Sequence, residues 1–453
     1  MTEVHKEENK MGILPIKKLI LTMSLPMMIS MLVQALYNVV DSMFVAQISE
    51  NALTGVTLAY PLQMLMISLG SGTGVGINAL LSRSLGEKKF DRADASANNG
   101  LFLTLLNYIL FLLIGLFLAE PFIRSQTSDP QIIEYGSTYL RICTVLSFGC
   151  FFQMTFERLL QSTGKTILSM ISQGTGAIIN IIFDPILIFG LFGFPRMGVA
   201  GAALATVAGQ MIAAILGVGL NIKWNTEIHL SIKQMFKPAF SIIKRIYAVG
   251  IPSVLMMSIG SVMTYLMNQI LIGFSTTATA VFGIYFKLQS FFFMPVFGMN
   301  NGLIPVLAYN YGARKKERIN EALSFAVKLA LGIMMVGFLV FEFMPDKLLQ
   351  IFDASEHMMS IGIPALRIIC ISFPIAGICI AMGSVFQAFS KSTYSLVISV
   401  GRQLVVLIPV AWLLAQTGNI NMVWWSFPIA EVISLLISLF FFRKIQRDII
   451  DQL

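Results

Sequence analysis

Two carboxylates stand where carboxylates are costly. Asp41 lies inside the apolar segment 18–46, and Asp184 inside the apolar segment 168–192. A charge at the bilayer centre costs about 2.5–3.5 kcal/mol on insertion scales, so an acid kept there marks a functional candidate. Asn180 precedes Asp184 by one helical turn and shares its face. Gln34, Tyr37 and Asn38 occupy the turns before Asp41 and add amide and hydroxyl groups. Two chemistries fit this set. Carboxylates with amide and hydroxyl oxygens are hard donors suited to Na⁺, with Asp41, Asn180 and Asp184 as the metal-ligating candidates. Acids buried near one another can instead take up and release a proton. These residues leave the coupling ion, Na⁺ or H⁺, open.

Other polar groups carry weaker signals. Lys287 lies deep in segment 278–308, where it would pair with an acid or meet an anionic group. Glu157 and Glu431 fall close to segment ends and read as interfacial. Arg141 and Arg367 read as snorkelling to the surface. Phe291, Phe292, Phe293 and Met294 form an adaptable apolar cluster that suits promiscuous binding. Gly70, Gly72, Gly74 and Gly76 form a GxGxGxG run with no preceding strand and no following Lys, so close helix packing explains it better than a nucleotide loop. The four cysteines, Cys143, Cys150, Cys370 and Cys379, read as reduced, packed thiols. His5, His229 and His357 form no cluster, so no enzyme and no cofactor is expected.

Helices must position these groups. The 453-residue chain is 56% hydrophobic and 12% charged, half the charge a soluble surface needs. It contains twelve apolar stretches long enough to cross a bilayer as helices. They fall at 18–46, 54–82, 97–119, 136–160, 168–192, 198–222, 246–273, 278–308, 322–345, 361–389, 395–415 and 421–442. The polar start carries no cleavable signal peptide. Of 31 Lys and Arg, 23 fall on one side of this threading, Lys6 and Arg158 among them, and 3 on the other. The positive-inside rule then places both termini in the cytoplasm of a bacterial cell, in a multi-pass inner-membrane protein. The same asymmetry accounts for the net charge of +8 without nucleic acid.

The chain repeats itself at one constant offset. Pro26 lies over Pro252, Gln63 over Gln289, and Gly72, Gly76 and Gly86 over Gly298, Gly302 and Gly312. Lys89 and Arg92 lie over Lys315 and Arg318, Arg141 over Arg367, and Gln161 over Gln387. An even number of helices per copy makes the copies parallel and permits a two-fold axis along the membrane normal. Transporters often bind substrate between such halves. The division reads as a tail 1–17, a lobe 18–222, a linker 223–245, a lobe 246–442 and a tail 443–453. Asp41 and Asp184 map onto Met267 and Val410, so the scaffold tolerates apolar residues there and the coupling chemistry belongs to the first lobe. Pro26 and Pro252 each remove a helical hydrogen bond and set a kink.

The sequence resembles the multidrug and toxic compound extrusion (MATE) family over nearly its whole length. The resemblance rests on Pro26 to Asp41, ending Tyr37-Asn38-Val39-Val40-Asp41, and on Asn180-Ile181-Ile182-Phe183-Asp184-Pro185. It rests also on Gly198 to Thr206, on the paired loops after spans two and eight, and on Pro305 to Ala313, which looks like the bacterial drug-efflux branch. It implies a V-shaped two-lobe antiporter that exports amphipathic, mostly cationic drugs in exchange for Na⁺ or H⁺, as a monomer in the lipid bilayer. By resemblance, Asp41, Asn180 and Asp184 take the coupling role, Thr206 joins them, and Pro26 marks a bending helix. Acids that some members carry in later helices are missing here. Two alternatives stand beside this reading: a lipid-linked oligosaccharide flippase of the same superfamily, and a major-facilitator carrier, whose loop Gly86 to Arg92 resembles.

Overall fold

The structure, a computed structural model, describes residues 8–352 and 354–453; Lys6 and His5 lie outside them. Among the described residues, eleven helices are long and apolar enough to cross a membrane. There are twelve when Pro130–Val145 and Phe148–Ser162, bent by 47°, count as one span. In order they are α1 (Ile16–Ala46), α2 (Glu50–Gly86), α3 (Phe90–Phe117), the bent α4, α5 (Thr166–Phe189) and α6 (Val199–Trp224). The second half holds α7 (Phe240–Ile272), α8 (Thr276–Gly312), α9 (Lys316–Phe343), α10 (Glu356–Ala388), α11 (Ser392–Ala415) and α12 (Ile420–Gln452). Each expected span has its helix. The ends differ because α-helix continues past the apolar stretch into charged turns, as in α2, which runs on to Gly86.

The repeat extends to features too small to read as homology. Ser49 and Ser275, matched by the repeat, cap α2 and α8 by accepting from Ala52 N and Ala278 N at 3.0 and 3.1 Å. Asp129 and Ser355 likewise cap α4 and α10. Lys88 and Arg314 share the left-handed backbone, with φ of 57° and 55°. The break in α4 recurs in α10 as a 3₁₀ turn over Cys370–Ser372. One feature is not repeated. α5 is a regular α-helix, whereas Gly401–Leu407 inside α11 is π-helical.

The halves join by exchange: α1 packs on α8 and α2 on α7. The repeated glycines make this possible. A Cβ at Gly76 would run into the Ile246 carbonyl oxygen, and one at Gly302 would lie 2.7 Å from the Met23 carbonyl oxygen. Small residues give such backbone approach in lipid, where van der Waals packing drives association. Gly76→Val therefore forces α2 from α7. Overpacking costs on the order of 1–3 kcal/mol. The variant is expected to unfold at a lower temperature in a detergent melt, whereas Gly174→Val, with nothing within 4 Å of its Cβ, serves as the unaffected control. Equal melting of both would refute this role for the glycines.

Candidate functional site

α1, α5 and α6 bring four of the expected residues together. α1 packs on α5, and α5 on α6. Asp41 stands five residues before the end of α1, and Asp184 five before the end of α5. At 1.5 Å per residue both lie about 8 Å inside the same end of the bundle. Their carboxyl groups interact directly. Asp184 is fully buried, Asn180 is 2% exposed and Thr206 6% exposed. The Asn180 amide satisfies both neighbours when its nitrogen donates to Asp184 Oδ2 at 3.3 Å and its oxygen accepts from Thr206 Oγ1 at 3.1 Å. Asp41 Oδ1 and Asp184 Oδ1 remain buried without a hydrogen-bond partner.

These orphaned oxygens define what the site can do. Two carboxylates in contact, Asp184 fully buried and Asp41 half-buried, are hard to keep charged together unless a proton or a cation lies between them. The donor set fits a hard monovalent cation, with Asp41 and Asp184 supplying the charge and the Asn180–Thr206 pair fixing Asp184. Among the described residues no group of three or more His, Cys, Asp or Glu gathers anywhere.

The remaining candidates spread out. Gln34 Oε1 accepts from Gln173 Nε2 at 2.9 Å, tying α1 to α5 closer to the other end. Tyr37 is half-buried one turn before Asp41, while Asn38 is exposed. Pro26 is buried within the continuous α1. Lys287 and Met294 lie on α8, in the other half, the lysine exposed and the methionine half-buried. Lys287 makes no ion pair among the described residues.

Three readings need correction. Glu431 is not interfacial. It stands eleven residues into α12, 13% exposed, and pairs through Oε1 with Arg402 Nη1 at 2.9 Å. Glu157 is buried and accepts from Gln153 Nε2 at 2.9 Å. Arg158 is no loop cation: it crosses to the second half at Asn301 Oδ1, 3.2 Å away, and holds Ser71 Oγ of its own half at 3.4 Å. Glu157 and Arg158 were misjudged because the helix extends beyond the apolar stretch, so a residue near its edge still lies inside the bundle; Glu431 stands at the middle of segment 421–442 and its depth was overlooked. Arg402 was missed, although a basic residue deep in an apolar span carries the same signal that singled out Asp41. Gln173 gave none.

Two six-helix halves with an acid pair walled inside one of them define a polytopic membrane transporter. The MatE family model matches the chain twice, over residues 26–186 and 252–413, and the two matches start at the paired prolines Pro26 and Pro252. The chain belongs to the MatE family. It is 26% identical over 424 residues to the multidrug export protein MepA of Staphylococcus haemolyticus, covering 93% of this chain and 92% of that one. It is also 26% identical to an FAD transporter of Shewanella oneidensis, over 92% of each. Among solved structures it resembles an outward-facing multidrug resistance MATE transporter (TM-score 0.91, 25% identity, 98% of both chains). It is similar, too, to a Pyrococcus furiosus transporter described as having a binding pocket of reverse polarity (TM-score 0.90, 26% identity, 98% of both).

Proposed function

We propose that this protein is a secondary active exporter of amphipathic, mostly cationic organic compounds, driven by exchange for Na⁺ or H⁺ at Asp41 and Asp184. The observation that carries the proposal is the pair of facing carboxylates with one unpartnered oxygen each, inside a single half of the bundle. One monovalent ion entering halves the charge of the pair and relieves its repulsion, and one leaving restores it. The cost of the uncompensated pair ties site occupancy to helix packing around it, and a ligand shifts a conformation only by its differential affinity for two states. Likeness to MepA supports drugs as the cargo. The concentration of Lys and Arg on the face holding both chain ends supports a cytoplasmic position for that face in a bacterial plasma membrane.

The relative described as an FAD transporter favours a second reading, in which the cargo is a large organic anion. Both are tested in proteoliposomes loaded with ethidium or FAD, with Na⁺ and H⁺ gradients applied separately. Ethidium movement under one gradient supports the first reading and names the ion. FAD movement alone supports the second. Movement of neither overturns both and turns attention to lipid-linked sugars.

A further inference from the structure

The repeat is broken in one place on the face that carries both chain ends. In the second half, Arg318 Nε donates to Asn310 Oδ1 at 2.9 Å, and Nη2 donates to the carbonyls of Met11 and Leu14 at 2.9 and 2.8 Å. Lys315 Nζ donates to the Gly12 carbonyl at 2.9 Å and pairs with Glu8 at 2.7 Å. Gly164, from the other half, lies against Lys10 and Asn9. Segment 8–14 thus fills a socket and presents its oxygens to two cations. Met11 is completely buried there.

Carried back along the repeat, the same walls are Arg92 for Arg318, Ser84 for Asn310 and Lys89 for Lys315. Arg83 stands for Tyr309, and Ser390 for Gly164. Arg92 Nε even donates to Ser84 Oγ at 2.9 Å, the counterpart of the Arg318 bond. Here, among the described residues, no segment takes the place of 8–14, and Asp448, Ile449, Gln452 and Leu453 form one wall. Residues 236–240 are the repeat partners of 10–14, and they are held on α3, where Asn99 Oδ1 accepts from Ala239 N at 2.8 Å. The vacated place is a cavity of about 860 Å³. Arg83, Lys89, Arg92, Arg245 and Arg314 line it, against the carboxylates of Glu87 and Asp448.

Glu87 fixes three of these cations, meeting Arg83, Lys89 and Arg92 at 2.8, 3.0 and 2.6 Å. Partial burial raises its carboxyl, but hydrogen bonds from Lys89, Arg83 and Arg92 outweigh that and hold it at about 2, so it stays ionised. Asp448 is taken up by Arg447 at 2.8 Å. Arg245 and Arg314 have no ion pair among the described residues. The positive charge of the cavity is therefore not cancelled.

We propose that this cavity binds a phosphate-bearing anion, the headgroup of an anionic phospholipid or a free phosphate compound, in the place that segment 8–14 takes in the mate socket. Guanidinium forks match phosphate oxygens in pairs, and the volume suits a group larger than one phosphate. Arg83, Lys89 and Arg92 belong to the first half, Arg245 and Arg314 to the second. A bound anion joins the halves beside the crossing of α2 and α8, where Arg83 stacks 4.4 Å over the Tyr311 ring. It therefore favours the conformation closed at this face. The site does not depend on which compound is exported.

The test uses the full-length, delipidated protein and the Arg245→Gln/Arg314→Gln double variant, with Lys233→Gln as control. Both arginines are exposed, so their loss leaves packing intact, as a ligand-free melt would verify. Native mass spectrometry reads phosphatidylglycerol against phosphatidylcholine, and calorimetry reads pyrophosphate. The expected result is saturable binding of at least one anionic probe, weakened about tenfold or more in the double variant and unchanged in the control. Phosphatidylglycerol alone assigns the lipid headgroup; pyrophosphate as well shows that free phosphate suffices. Absence of saturable binding, or equal binding by wild type and double variant, overturns the proposal.

Discussion

Asp41→Asn protein is expected to fold, insert and melt as the wild type does, yet to lose gradient-driven export by on the order of 100-fold, the upper end of the 1–3 kcal/mol typical of coupling between two sites. Asparagine keeps the shape of the side chain and removes its charge. The pair is then compensated permanently, whether or not an ion is bound. Nothing drives one conformation over the other, because a ligand with equal affinity for both states shifts nothing. Stability should not suffer, since the carboxylate whose Oδ1 lacks a partner is the one replaced. Asp184→Asn should act in the same direction, and the double variant should be little worse than either, because residues sharing one task are not additive. Ethidium efflux from proteoliposomes decides this. Wild-type rates in Asp41→Asn would remove the coupling role from the first half.

The second large effect concerns folding. Glu431→Ala leaves the Arg402 guanidinium, 26% exposed, without its 2.9 Å partner inside the second half. Removing one member of a buried pair costs about 3–5 kcal/mol, because the remaining charge is stranded. The variant should give little monodisperse protein. Arg402→Met/Glu431→Leu should recover it, since a buried pair replaced by apolar groups is often neutral or better. The pair sits at the π-helical Gly401–Leu407, and such segments concentrate at functional positions. Export by the rescued double variant therefore separates a structural pair from a functional one. A Glu431→Ala protein that melts at the wild-type temperature would show that Arg402 finds water or another partner.

Much of this molecule is determined along the chain. Twelve spans follow from apolar length alone, because a backbone in lipid must satisfy its own hydrogen bonds and the helix does so locally. The parallel repeat follows from like residues at one constant offset, and the prominence of Asp41 and Asp184 follows from the cost of charge in hydrocarbon. None of these needs knowledge of which helix touches which.

Other features were decided only by tertiary structure. The exchange of α1 onto α8 and of α2 onto α7 rests on backbone approach at Gly76 and Gly302, and glycine spacing marks closeness without naming the partner. That Asp41 meets Asp184, four helices further along the chain, depends on α1 lying against α5. Arg402 and Glu431 stand on separate helices, and only packing of α11 on α12 makes them a pair. The repeat itself predicts two like sockets on the face with both chain ends. Which of them a chain segment fills is set by where the linker is anchored, at Asn99, a long-range contact that no local spacing encodes.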